Sequence, residues 1–384
     1  MIKKKGDREQ KLLTILTELV RIPSYGKIDS NHKMIEYLKK QFQNCEETVE
    51  ITDKNGNTHL LIGVNNKLQD LDNAIVLSGH IDTVRESNGH TCNISVDKDT
   101  LKGLGISDMK AFIATIIANL DYLKSLDIPV VISLTSDEET NLLGIEHIIK
   151  ELNIRNITPG MVVVGEPTNL DYYVSSRGNS IYVSLMNGIS CHSGTPELGV
   201  NAIELQTEFM AEIIALRQLY ENEASVCITH IDGGKSPSNV VPDMSSACFG
   251  IRTSNTNVLS EMYNYLQERH KEISKSYGES KLFNVLDIPP FERRDNEFID
   301  RQAELKGKNK VDAKYATEAG YFQRAYPESA ILIYGPGQPD KIHESGEYLE
   351  PNKLFQYANE LNELLNNFLQ YKKTDHKKLV HEKK

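Results

Sequence analysis

No stretch of this chain reaches the roughly 18 uncharged apolar residues that cross a bilayer. Its best run, Ala111 to Leu120, is about half as long and reads as a buried helix. Basic charge is also short: 43 Lys+Arg stand against 54 Asp+Glu, a formal net charge of −11. That balance argues against nucleic acid, whose phosphates need a basic patch, and against an anionic membrane surface. Cysteines are few, odd in number and scattered (Cys45, Cys92, Cys191, Cys227, Cys248), with no CxxC spacing. They read as reduced structural thiols rather than a disulfide framework. A basic start, Met1-Ile2-Lys3-Lys4-Lys5, runs into Gly6-Asp7-Arg8-Glu9-Gln10 where a signal peptide needs apolar residues, so the expected location is cytoplasmic. There is no P-loop and no GxSxG. Gly103-Leu104-Gly105 opens like a dinucleotide fingerprint, but Ser107 or Asp108 stands where its third glycine belongs.

What is present is an ordinary globular composition, 39% hydrophobic and 25% charged, over 384 residues. At about 100–200 residues per domain, that length implies two domains or three.

The first two-thirds alternate between helical and strand-like segments. Helices are expected over Lys11–Val20, Asn31–Phe42, Asp108–Leu126 and Gly144–Leu152. Continuous apolar runs, Ala74–Gly79, Pro129–Leu134, Met161–Gly165 and later Ala330–Gly335, read as fully buried strands. Such alternation predicts an α/β fold with a mainly parallel sheet covered on both faces. The pattern then changes to paired short strands over Tyr172–Asn187, a helix over Val200–Tyr220, strands over Ser225–Ile231 and Ser246–Arg252, and a helix over Asn257–Ser274. That is the order of a ferredoxin-like α+β unit of about 110 residues. The expected map is one α/β domain, 1–174 plus 287–384, interrupted by an inserted domain, 175–286. A last helix is expected over Asn352–Tyr371, with a solvated Lys- and His-rich tail, Lys372–Lys384.

Acidic and histidine residues gather just past the buried strands, at the edge where open parallel sheets bind ligands. One strand delivers His80 and Asp82, the next Asp137-Glu138-Glu139, the third Glu166, and the last is followed by His343; Asp108 stands at a helix start. Taken singly, each has a structural explanation, such as an N-cap aspartate or acids complementing a helix dipole. Their convergence on one edge points to chemistry instead. His80 with Glu166, and His343 with Glu139, make two His-plus-carboxylate pairs that Asp108 can bridge. Mixed N/O ligation suits zinc, with cobalt or manganese as alternatives. Paired cations acidify water and clamp a hydrolytic transition state. Glu138, beside a ligand but free itself, can act as general base, and Asp82 can hydrogen-bond His80 and fix its tautomer.

The segments Ser78-Gly79-His80-Ile81-Asp82-Thr83-Val84, Gly103-Leu104-Gly105-Ile106-Ser107-Asp108-Met109-Lys110, Ser136-Asp137-Glu138-Glu139 and Gly165-Glu166-Pro167-Thr168 stand in this order. Together they resemble the co-catalytic di-zinc family of acetylornithine deacetylase, succinyl-diaminopimelate desuccinylase, aminoacylase and related carboxypeptidases. Supporting segments are Gly199–Leu205, Ile231-Asp232-Gly233-Gly234, Ala316-Thr317-Glu318-Ala319, Tyr334-Gly335-Pro336-Gly337 and Glu347-Tyr348-Leu349-Glu350. The resemblance implies two zincs per subunit: His80 and Glu166 on one, Glu139 and His343 on the other, Asp108 between them. It implies Glu138 as the base and Asp82 as the residue orienting His80. It further implies His192 as an oxyanion group reaching the partner subunit's site, Arg252 and Asn239 as substrate-positioning groups, and an inserted lid that forms a homodimer. The expected reaction is hydrolysis of a small N-acyl amino acid, N-acetylornithine first, with succinyl-diaminopimelate or di- and tripeptides as alternatives. A non-catalytic binding protein on this scaffold would be expected to have lost ligands, and none is missing. Three departures stand out: Gly250-Ile251-Arg252 replaces an Asp-x-Arg, no Gly pair follows Lys110, and the loop Arg85–Thr100 lacks a tryptophan-containing segment.

Overall fold

The computed structural model describes residues 6–382 apart from 26–27, 88–90, 98, 235, 276 and 345. The basic start Met1–Lys5 lies outside the described residues. The chain divides into two compact units. One comprises Met1–Val174, Arg294–Asp312 and Thr317–Lys384, the other Ser175–Arg293 and Ala313–Ala316.

The first unit is α/β around an eight-stranded sheet. Its middle is parallel: Val130–Thr135, Leu71–His80, Ile157–Val164 and Ala330–Ile333 lie side by side in that order. Their central stretches, such as Ala74–Leu77 and Met161–Val164, are apolar and buried because both faces of the sheet are covered. On one face Ile75, Leu77, Ile132, Leu134, Met161, Val163 and Leu332 join a core with helices Asp7–Arg21, Ala111–Ala118 and Pro351–Glu382. The alternate residues Val76, Val131, Val162 and Ile331 are equally buried, and helices Gly144–Ile154 and Ala319–Ala325 pack on the sheet as well. The antiparallel strands Glu47–Thr52 and Thr58–Gly63 extend one edge.

The second unit has a four-stranded antiparallel sheet in the order Ala224–Asp232, Met244–Thr253, Asn179–Asn187, Lys281–Ile288. With helices Ala202–Leu219 and Thr256–Ser274 it follows the expected strand–helix–strand–strand–helix–strand order. Tyr182, Phe209, Phe249, Met262 and Leu266 form its core. Asn201 and Asn255 cap the two helices, each side chain accepting backbone N–H groups of the first turn.

Three expectations are corrected. Tyr172–Ser176 and Asn179–Asn187 are not a pair: the first joins Ala330–Ile333 in the large sheet, and the second is central in the small one. The segment from Asp108 to Leu126 is not one helix. It is a wide turn, Ile106–Lys110, then helices Ala111–Ala118 and Leu120–Ser125, broken at Asn119. The Asn119 side chain bonds to Arg8, to the Ala358 carbonyl and to Asn362. Lastly, Lys372–Glu382 continues the last helix, which runs Pro351–Glu382 with no Gly or Pro after its first residue to end it earlier.

Candidate metal centre

Adjacent strand ends position the first residues. His80 closes Leu71–His80, opposite Thr135 of the parallel neighbour. On its other side Ser78 pairs with Val164, so Glu166 leaves the sheet at the same edge. Gly165 lets the chain pass Phe112, since a Cβ there would stand 2.0 Å from its ring. Asp137, Glu138 and Glu139 lie in a loop ahead of the helix that starts at Gly144. Asp137 closes this loop: its carbonyl accepts the N–H groups of Thr140, Asn141 and Leu142, and its Oδ1 that of Gly144. Asp108 sits in extended backbone, φ −117° and ψ 91°, within the wide turn, and its peptide bond to Met109 is cis.

The side chains then meet. Asp108 Oδ1 lies 3.0 Å from His80 Nε2 and Oδ2 lies 3.3 Å from His343 Nε2. His343 Nε2 is 2.8 Å from Glu139 Oε2. His80 Nδ1 bonds to the Asp82 carbonyl at 2.9 Å. Three sets of ligand atoms lie within 4.8 Å of one another: His80, Asp108 and Glu166; His80, Glu138 and Glu139; and Asp108, Glu139 and His343. His80, Asp108 and Glu166 are buried, Glu138 and Glu139 partly so, and His343 is exposed.

So many buried carboxylates strain one another electrostatically. Burial first, then neighbouring acids, pushes the Glu138 and Glu166 carboxyls well above their ordinary range. Burial likewise raises Glu139, against its hydrogen bond from His343. Burial would raise Asp108 too, but hydrogen bonds from His343 and His80 hold it well below the usual range. His343 is lifted to about 10 by its bonds to Asp108 and Glu139. Glu166 Oε1 is buried with no hydrogen-bond partner, which is costly unless a cation or proton meets it. Nitrogen and oxygen donors, an orphaned carboxylate oxygen and a surplus of negative charge all fit a divalent cation.

Residues 76–367 match the sequence profile of Peptidase family M20/M25/M40. The chain belongs to this family. It is accordingly an enzyme that hydrolyses amide bonds. It is 29% identical over 361 residues to the acetylornithine deacetylase of Aliivibrio salmonicida, covering 86% of this chain and 92% of that one. Among solved structures it is similar to the aminopeptidase PepT of Bacillus cereus, with a TM-score of 0.75 and 19% identity over 94% of this chain and 98% of that one. It is also similar to YXEP of Bacillus subtilis, described as a dinuclear metal-binding peptidase of the M20 family, with a TM-score of 0.63 and 15% identity over 94% and 99% of the two chains.

The remaining expected residues of this M20 chain lie in the second unit. His192 and Asn239 are brought together there: His192 bridges to Val240, and Ser193 N–H donates to the Asn239 carbonyl. His192 Nδ1 accepts the Gly194 N–H at 3.0 Å, and both side chains are exposed. Arg252 stands eight residues along its strand from Met244, roughly 26 Å from the end next to Asn239. The structure therefore does not bring Arg252 to that corner of its own unit.

Three buried groups had no role assigned from sequence. Glu347 accepts the N–H groups of Gly105, Ser107 and Asp108 at 2.9, 2.7 and 3.1 Å. Glu318 accepts from Ser78 Oγ at 2.6 Å and Thr135 Oγ1 at 2.5 Å, beneath the strand ends. Lys110, fully buried, donates to the Ile22 carbonyl at 2.9 Å. The available signal was a lone charge beside an apolar or small-residue stretch, as in Lys110-Ala111-Phe112-Ile113.

Proposed function

We propose that this M20 enzyme is a two-metal hydrolase of small N-acyl amino acids, with N-acetylornithine its first substrate. The observation that carries the reading is Asp108, whose two carboxylate oxygens face His80 and His343 separately. That is how a carboxylate bridging two cations is held. In this reading His80 and Glu166 hold one ion, Glu139 and His343 the other, and zinc is the metal. Two divalent cations would supply Lewis acidity that polarises an amide carbonyl and acidifies water. Glu138 takes a proton from the attacking water and returns it to the leaving amine. Its place supports this: Glu138 adjoins Glu139 and shares the cluster of ligand atoms with His80 and Glu139, within 4.8 Å. On the resemblance alone, we assign His192 to the oxyanion and Arg252 and Asn239 to substrate. Arginine suits a substrate carboxylate because its planar fork donates two parallel hydrogen bonds. On the same basis, the inserted unit is assigned as the lid and homodimer contact.

The named relative at 29% identity favours deacetylation. A second reading, a peptidase, draws on the likeness to an aminopeptidase at TM-score 0.75. A hydrolysis panel of N-acetylornithine, N-acetylcitrulline, succinyl-diaminopimelate, dipeptides and tripeptides separates them. The first reading expects the highest kcat/KM on N-acetylornithine. A higher value on a peptide would transfer the assignment, and no turnover of any amide with zinc, cobalt or manganese would end it.

A further inference from the structure

Asp108 faces its two histidines from a non-helical backbone. Neither it nor Met109 is helical, although a helix begins at Ala111. A carboxylate from far along the chain bonds to this turn. Glu347 is buried, and its two oxygens accept three backbone N–H groups, those of Gly105, Ser107 and Asp108 itself. Glu347 also lies four residues past His343. Its neighbour Tyr348 pairs with Lys102, and the Tyr348 carbonyl accepts Ser107 Oγ at 2.6 Å. Ser107 Oγ in turn accepts the Gln338 N–H at 3.2 Å. The Asp108 turn and the segment carrying His343 are therefore tied at several points, with Glu347 as the central knot.

We infer that Glu347 is a positioning residue. It fixes the Asp108 backbone so that its carboxylate spans His80 and His343, and it locks the His343 segment to that same turn. This rests on the proposed metal reading, but the role belongs to a residue that meets neither metal nor substrate. Three N–H donors suit a charged acceptor, since each such bond is stronger than a neutral one. Removing the charge weakens the clamp without emptying the space. Partners that orient ligands in this way are typically worth 10–100-fold in metal affinity or activity.

The test is Glu347→Gln, compared with wild type in the full chain. Zinc affinity is measured by competition with a chromophoric chelator, and folding by circular dichroism. A folded variant with zinc binding weakened about 10–100-fold supports the inference. A folded variant with wild-type affinity and kcat overturns it, as does a variant that is merely less stable while binding zinc as tightly. If the variant fails to fold, amide hydrogen exchange on the wild type gives a second arm. The Gly105, Ser107 and Asp108 amides are expected to be strongly protected with and without zinc; rapid exchange at all three overturns the clamp. A wild-type chain that takes up no divalent cation would sink the metal reading, and this inference with it, whereas normal wild-type binding with an unaffected variant sinks only the inference.

Discussion

Asp82 faces His80 Nδ1 twice: its backbone carbonyl hydrogen-bonds at 2.9 Å, and its carboxylate Oδ1 stands at 3.6 Å, within ion-pair distance. The carboxylate hydrogen-bonds elsewhere: Oδ1 accepts the Glu138 N–H at 3.2 Å and Oδ2 the Glu139 N–H at 3.0 Å. The backbone of Asp82 orients a candidate ligand, while its side chain holds the loop of the candidate base. Replacing the side chain leaves the carbonyl bond to His80 in place and removes both bonds to the Glu138–Glu139 loop, so it should disturb Glu138 more than His80. Asp82→Ala is expected to lower kcat by about 10–100-fold with zinc stoichiometry retained. If kcat holds and metal is lost instead, the side chain acts through His80 after all.

Glu138 is the group expected to move the proton. Glu138→Gln or Glu138→Ala should reduce kcat by about 10²–10⁴-fold, the usual worth of a positioned base. Metal content by elemental analysis should stay at the wild-type value. Turnover near wild type would remove Glu138 from this role.

Without a cation, the His343 imidazolium is stabilised by Asp108 and Glu139 and titrates at about 10, above its ordinary 6.5. A raised histidine contributes stability that is fully present below pH 6.5 and is lost as the pH climbs through about 10. Chelator-treated wild type should thus lose melting temperature between those values, and His343→Ala should lose less. Equal slopes for the two proteins would contradict the assignment. If His343 holds a metal as proposed, zinc displaces the same proton, and zinc binding in weakly buffered solution near neutral pH should release protons.

His59 gives the opposite sign. It is fully buried and stacks on His147, and its Nδ1 accepts the Ser136 N–H at 3.2 Å. Burial drives its pKa down to about 4. The unfolded chain therefore binds the extra proton first, and stability falls as the pH drops from 6.5 towards 4, by up to about 3 kcal/mol. Denaturant titrations at pH 7 and pH 4.5 should show this loss in wild type and a smaller one in His59→Gln.

Gly165 precedes Glu166 and passes close to Phe112. An alanine there forces ring and backbone apart, and overpacking of this kind costs about 1–3 kcal/mol. Gly165→Ala should melt earlier and bind zinc more weakly. An unchanged melting temperature would show that Phe112 can move aside.

The parallel strands were legible because burial on both faces leaves unbroken apolar runs such as Met161–Val164. The polar residues just past them were legible for the same reason, since His80 and Glu166 end those runs abruptly. The hairpin of Glu47–Thr52 and Thr58–Gly63 was not anticipated, although Asp53-Lys54-Asn55-Gly56-Asn57 carries its turn: Asp53 accepts from the Asn55 and Asn57 backbones, and Gly56 takes φ 86°. The separation of Tyr172–Ser176 from Asn179–Asn187 was hidden, because both segments have strand character and nothing local says which sheet each joins.

Residue types at the strand ends, and with them the candidate donors His80, Asp108, Glu139, Glu166 and His343, are legible in the sequence alone. The same is true of family membership, which rests on ordered local motifs. Which oxygen of Asp108 meets which histidine was decided only by tertiary structure, as was the bond from the Asp108 N–H to a Glu347 carboxylate 239 residues away along the chain. Likewise, only the folded chain gave the Asp82 carbonyl to His80 and its carboxylate to the next loop. Local propensity acts over a few residues, whereas a hydrogen bond is won or lost over less than 1 Å, and that margin is set by contacts between distant parts of the chain.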